Sequence, residues 1–147
     1  MRRCRGFTFI ELVIALVVGG ILIGISIREV GQVQRRMSVT QGMRAFQSLH
    51  ARARAHAIER GTLVALFLDT AGDSAFIWDA GGAFETLRFQ EFGVDVSANP
   101  AVVRVCFTPR GYADPDCNSY GAGTVLSFAQ GTNTRTLELL PMGQLIQ

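Results

Sequence analysis

A long N-terminal helix packed on an antiparallel β-sheet or sandwich, an α+β fold, is predicted for this chain by three observations. An uncharged apolar run fills residues 12–27. Beyond it, apolar residues recur every three or four positions up to Gly61, as one helical face requires. From Thr62 onward, short extended runs alternate with glycine-containing turns. A chain of 147 residues holds one modest domain and a short additional element, which excludes a large multidomain enzyme. With 48% hydrophobic and 18% charged residues, a disordered chain is excluded as well.

The net charge of +2 conceals a strong asymmetry along the chain. Residues 1–6 carry +3, residues 7–27 carry −1, residues 28–61 carry +5 and residues 62–147 carry −5. The first element is therefore a basic start, Met1-Arg2-Arg3-Cys4-Arg5, followed by an apolar stretch over 7–27 broken only by Glu11. Such a stretch spans about 31 Å as a helix, enough for a bilayer core. The basic residues before it favour a cytoplasmic N-terminus. No small-residue cleavage site follows the run, as a secretory signal requires. Cys4 precedes the run, which argues against a lipoprotein.

Glu11 is the informative residue here. A carboxylate in an apolar helix costs about 2.5–3.5 kcal/mol at the membrane centre, so it calls for a partner. No cation lies within the run. An α-amino group made by cutting between Gly6 and Phe7 would supply one. Small residues at i,i+4, Ala15 with Gly19 and Gly20 with Gly24, permit close approach of another helix, with simple flexibility as the alternative.

Gly6-Phe7-Thr8-Phe9-Ile10-Glu11-Leu12, after a basic leader and before an apolar helix, resembles the class III signal of type IV pilins and pseudopilins. That resemblance implies cleavage after Gly6 by a prepilin peptidase and methylation of Phe7. It also implies that Glu11 pairs with the N-terminal amine of a neighbouring subunit in a filament. Phe9 stands where the family more often has Leu.

The helix is expected to continue through 28–61. Val30, Val33, Met37, Met43, Phe46, Leu49, His50, Ala53 and Ala57 follow the helical spacing, and no Pro occurs before Pro100. Gly31 and Gly42 are soft points, and Gly61 is a natural stop. The outer stripe cannot bury itself, so it needs a sheet to cover it. Strands are expected at Thr62–Asp69, Ser74–Asp79, Glu85–Phe92, Val102–Phe107, Thr124–Phe128 and Thr134–Leu140, with no further helix. These expectations divide the chain into a leader (1–6), a membrane and filament-core helix (7–27), an outer amphipathic helix (28–61) and a β head (62–147).

Three inner segments narrow the resemblance. Residues 49–64, with Ala53-Arg54, Ala57-Ile58, Arg60-Gly61 and Val64, are similar to the helix ending of the GspH/FimT family. Phe107-Thr108-Pro109-Arg110-Gly111 resembles its Phe-x-Pro-x-Gly strand, and residues 135–143 resemble its terminal strand. The resemblance implies a pilin-like head in a minor pseudopilin of type II secretion, or in a minor type IV pilin concerned with pilus assembly or DNA uptake. The implied partners are prepilin peptidase, other pseudopilins or minor pilins, an inner-membrane assembly platform, and membrane lipid before assembly. The implied location is the inner membrane, single-pass, with the head in the periplasm.

Gln144 stands where this family commonly has Arg, and the head is acidic. Nucleic-acid binding, which needs clustered Lys or Arg, is therefore not expected. The remaining basic group, Arg52, Arg54, His56 and Arg60, reads as a solvated face or as contacts to acidic heads of adjacent subunits. Cys106 and Cys117 lie outside the membrane in this topology. A disulfide between them is expected, with two free thiols as the alternative; the closed loop would contribute about 2–3 kcal/mol. Asp114-Pro115-Asp116-Cys117-Asn118 has calcium-loop spacing but lacks the Gly and the distal Glu, so an exposed polar turn is expected. His50 and His56, six residues apart on a helix, cannot share a metal. No catalytic pattern, metal site or cofactor site is expected.

Overall fold

In the computed structural model, residues 8–147 are described, the side chains of residues 25–30 excepted. Helix α1 runs Phe9–Arg60 and ends where Gly61 adopts a left-handed φ of 62°. The strands are β1 Val64–Asp69, β2 Ser74–Asp79, β3 Gly82–Arg88, β4 Asp95–Ala98, β5 Val102–Phe107, β6 Thr124–Gln130, β7 Asn133–Leu139 and β8 Leu145–Ile146. They form two four-stranded antiparallel sheets, ordered β3-β2-β1-β5 and β4-β6-β7-β8. The chain divides into two units, the second being Arg35–Gln147, so the outer part of α1 belongs with the sheets.

In the second unit, α1 turns Val39, Met43, Phe46, Leu49, Ala53 and Ala57 into the core. The stripe thus begins at Val39, which the sequence reading passed over. Val33 and Met37, expected on that stripe, are exposed. Gly42 is buried against the head: a Cβ there would lie 3.4 Å from Val94 Cγ2. It is a point of close packing, not merely a soft one. Phe46, Phe89 and Phe128 meet at the centre, with ring centroids 5.7–6.4 Å apart.

The expected strand over 85–92 stops at Arg88. Phe89–Phe92 forms a 3-10 turn closed by Gly93 at φ 63°, whose N–H donates to Gln90 O. The physical reason is a change of sheet. The chain leaves the first sheet at β3 and enters the second at β4, and the turn swings Phe89 fully into the core. Strands β4 and β8 were not expected: they are four and two residues long, too short for an alternation to show.

An edge strand with unpaired backbone groups invites foreign pairing. On β5 the segment that follows it covers this edge. Ser119 Oγ accepts from Arg104 N at 2.7 Å and donates to Val102 O at 3.2 Å, while Ser119 N donates to Arg104 O at 3.0 Å. Asn118 Oδ1 accepts from Cys106 N at 3.0 Å, and Asp114 N donates to Cys106 O at 2.8 Å. Cys106 and Cys117 form a disulfide, Cα–Cα 5.8 Å, that staples this segment to the strand.

Among the described residues, no helix is long and apolar enough to cross a membrane. The side chains described in the apolar segment end at residue 24, short of the 7–27 stretch expected from the sequence.

Two substitutions test this account by chemical denaturation. Phe46→Ala should cost about 3–5 kcal/mol through the cavity it leaves. Replacing both Cys106 and Cys117 by Ser should cost about 2–3 kcal/mol. In the latter variant, amide hydrogen exchange at Arg104 and Cys106 should accelerate more than at the β1 side of the sheet.

Candidate assembly and processing site

Gly6 and Phe7, the expected cleavage and methylation positions, lie outside the described residues. Thr8 caps the helix. Its carbonyl accepts from Glu11 N at 3.1 Å and Leu12 N at 3.3 Å, and its Oγ1 takes a longer contact from Glu11 N at 3.4 Å. Thr at the cap satisfies backbone N–H groups that have no partner within the helix. Sequence reasoning missed this role, although Thr8-x-x-Glu11 has capping-box spacing. Glu11 sits in the first turn, where the helix dipole favours negative charge. Among the described residues it makes no ion pair.

Around Glu11 the helix is apolar on every side. Phe9 is 84% exposed, and Ile10, Leu12, Ile14 and Leu16 are exposed too. A helix that is apolar all round belongs in lipid or in the middle of a protein assembly. Ala15 and Gly20 are exposed, and a Cβ at Gly19, Gly20 or Gly24 would meet nothing within 4 Å. These four positions leave open the space that a second helix would need.

The basic group on the outer helix is partly neutralised by this chain's own head. Arg52 Nε donates to Glu85 Oε2 at 3.1 Å and its Nη2 lies 2.6 Å from Oε1, a forked pair, while Nη1 donates to Ser48 Oγ. His56 Nε2 sits 3.3 Å from Asp79 Oδ2 and its ring packs on Phe84. The Gly81 N–H and the His56 ring hold the Asp79 carboxyl below its ordinary value. The attraction expected between adjacent subunits is thus met within the chain at two of four positions. Arg54 and Arg60 make no ion pair among the described residues.

The Asp114–Asn118 segment is a structural turn. Asp114 Oδ1 accepts from Asp116 N at 3.1 Å, and Asn118 is committed to the β5 edge. Among the described residues, no group of three His, Cys, Asp or Glu could hold a metal ion. At the C-terminal end, Gly143 has φ 77°, and a Cβ there would lie 2.8 Å from Ala113 Cβ. Only glycine fits this turn, which packs over His50.

Residues 1–27 match the prokaryotic N-terminal methylation motif. No curated protein matches the chain. The chain thus joins a methylation motif to a head of pilin-like fold. The fold is similar to that of the type IV minor pilin FimU from Pseudomonas aeruginosa strain PAO1. One FimU crystal form gives a TM-score of 0.58 at 14% identity, covering 76% of this chain and 88% of FimU. A second gives 0.55 at 15% identity, covering 73% and 90% respectively.

His50 supplies a pH test of the head. It is 7% exposed, its ring meets Phe107 edge-on at 5.0 Å, and its Nε2 is buried without a partner. Burial lowers its pKa from 6.5 to about 4; hydrogen bonding to the Gly143 backbone opposes the shift and Arg54 adds to it. The unfolded chain takes up this proton below pH 6.5, the folded one only near 4. His50 therefore costs no stability above 6.5, and stability falls as the pH drops from there towards 4. The loss attributable to it is about 3 kcal/mol. Denaturant titrations of wild type and His50→Gln should converge in slope above that window, with the variant losing less stability within it.

Proposed function

We propose that this chain is a minor pseudopilin of a type II secretion system, assembled into a short periplasmic pseudopilus that supports protein secretion. The observation that carries the reading is the methylation motif opening onto an apolar helix whose one carboxylate, Glu11, has no ionic partner among the described residues. Prepilin peptidase hydrolyses the Gly6–Phe7 bond, and the new amine of Phe7 then takes a methyl group from a sulfonium donor, releasing the thioether and a proton. Residues 7–27 anchor the subunit in the inner membrane, with the head in the periplasm. Loss of the leader removes three Arg, so the mature chain carries 11 Arg against 12 acids.

Glu11 sets register in the filament. In lipid its charge costs about 2.5–3.5 kcal/mol at the centre and less near the interface. A neighbouring subunit's amine relieves that cost, so the favourable stagger is the one that brings the two together. Ala15, Gly19, Gly20 and Gly24 let helices approach closely. The likeness to FimU favours a second reading, a minor pilin of a type IV pilus. In both readings the partners are other pilin-like subunits and an inner-membrane assembly platform.

Deleting the gene and measuring exoprotein release and piliation in parallel separates the two readings. Loss of release with intact pili is the expected result; loss of pili with intact release would favour the second. Mass spectrometry of the membrane-extracted protein should give a chain starting at N-methylated Phe7, and an intact Met1 would defeat the processing step. Glu11→Ala should leave the protein processed and in the membrane while abolishing its incorporation into filaments.

A further inference from the structure

Arg135 is isolated in the sequence, and the fold brings it beside the helix. Within the Arg35–Gln147 unit, an open cleft is lined by Arg36, Val39, Thr132, Asn133, Thr134 and Arg135. Val39 is its buried apolar floor, and every other lining residue is polar or cationic. Arg36 is held in place because its Nε donates to Asn133 Oδ1 at 3.3 Å. Arg35 leans over the β6–β7 turn, its Cδ 3.9 Å from the position a Cβ on Gly131 would take.

No carboxylate lines this cleft, and among the described residues neither Arg36 nor Arg135 makes an ion pair. The contrast with Arg52, which is forked onto Glu85, is direct. Two guanidiniums, one of them positioned, with the hydroxyls of Thr132 and Thr134 beside them, match an anion that presents several oxygens, as a phosphate does. The strands and loops over 62–147 carry −5 overall, so this cleft, which no carboxylate lines, differs in sign from the average of the segment.

Which phosphate follows from position in the chain. Only seven residues separate Ile27, the end of the proposed membrane segment, from Arg35. Basic residues within about a screening length of a bilayer that contains anionic lipid, on whichever side they lie, are attracted to its headgroups. We infer that Arg36 and Arg135, flanked by Arg35, hold the phosphate of an anionic phospholipid while the subunit waits in the bilayer. This rests on the membrane-anchor reading above. The attraction is exposed and therefore salt-sensitive, which suits a contact that must be released on assembly.

The full chain is reconstituted into phosphatidylcholine vesicles with and without phosphatidylglycerol, and flotation is scored first. Arginine modification by a glyoxal reagent is then followed residue by residue by mass spectrometry. Arg36 and Arg135 should react about fivefold more slowly with phosphatidylglycerol present, with Arg110 as the unaffected control. Arg135→Gln should reduce the protection at Arg36, and 0.5 M salt (roughly a 4 Å screening length) should abolish it.

Equal rates in the two vesicle types would overturn the inference while leaving the anchor standing. Equal protection by free inorganic phosphate, or by a DNA duplex, in neutral vesicles would overturn it in favour of that ligand. Failure to float with either vesicle would overturn the anchor, and the headgroup contact with it.

Discussion

The apolar stripe on the outer part of α1 has no cover of its own, and the head is built to satisfy it. Val39, Met43, Phe46, Leu49, Ala53 and Ala57 are a seam that an isolated helix would leave in water. At about 25 cal/mol per Å² of apolar surface, burying such a seam dominates what the helix gains from folding. Both sheets contribute. Leu66, Ile77 and Val105 belong to the first, and Leu126, Phe128 and Leu137 to the second. The 3-10 turn at Phe89 exists because one chain must pass between those sheets without losing an aromatic from the centre.

The same helix obeys the opposite rule nearer its N-terminus. There the apolar residues are exposed on all sides, and the one ion sits in the first turn. A water-soluble domain has no use for such a surface. One helix thus carries two different solvent requirements: the head satisfies that of the outer part, and the proposed function assigns the other to lipid or neighbouring subunits. In the proposed filament, Glu11 is the side chain of the 7–27 stretch whose energy depends most strongly on its neighbours.

Charge is arranged with similar economy. The excess of Arg on the outer helix and of acids on the strands suggested attraction between subunits, yet Arg52 and His56 find Glu85 and Asp79 in the same chain. The exposed Arg52–Glu85 pair contributes little to stability, about 0–1 kcal/mol. The larger consequence of the two contacts is to engage Arg52 and His56 within the chain, whereas no carboxylate lines the cleft at Arg36 and Arg135.

Much of the architecture was legible in one dimension. Ser74–Asp79 and Val102–Phe107 coincide with β2 and β5, and α1 stops at Arg60 before Gly61, because local periodicity and a left-handed glycine are properties of neighbouring residues. The methylation motif was legible for the same reason: it is a contiguous segment. Tertiary structure decided what depends on residues distant in the chain. It set the phase of the buried stripe at Val39, the close approach at Gly42 and the turn at Phe89. It laid the disulfide-closed segment over the β5 edge, and it brought Arg36 beside Arg135. None of these has a local signature, since each arises when two surfaces separated by tens of residues compete for the same space.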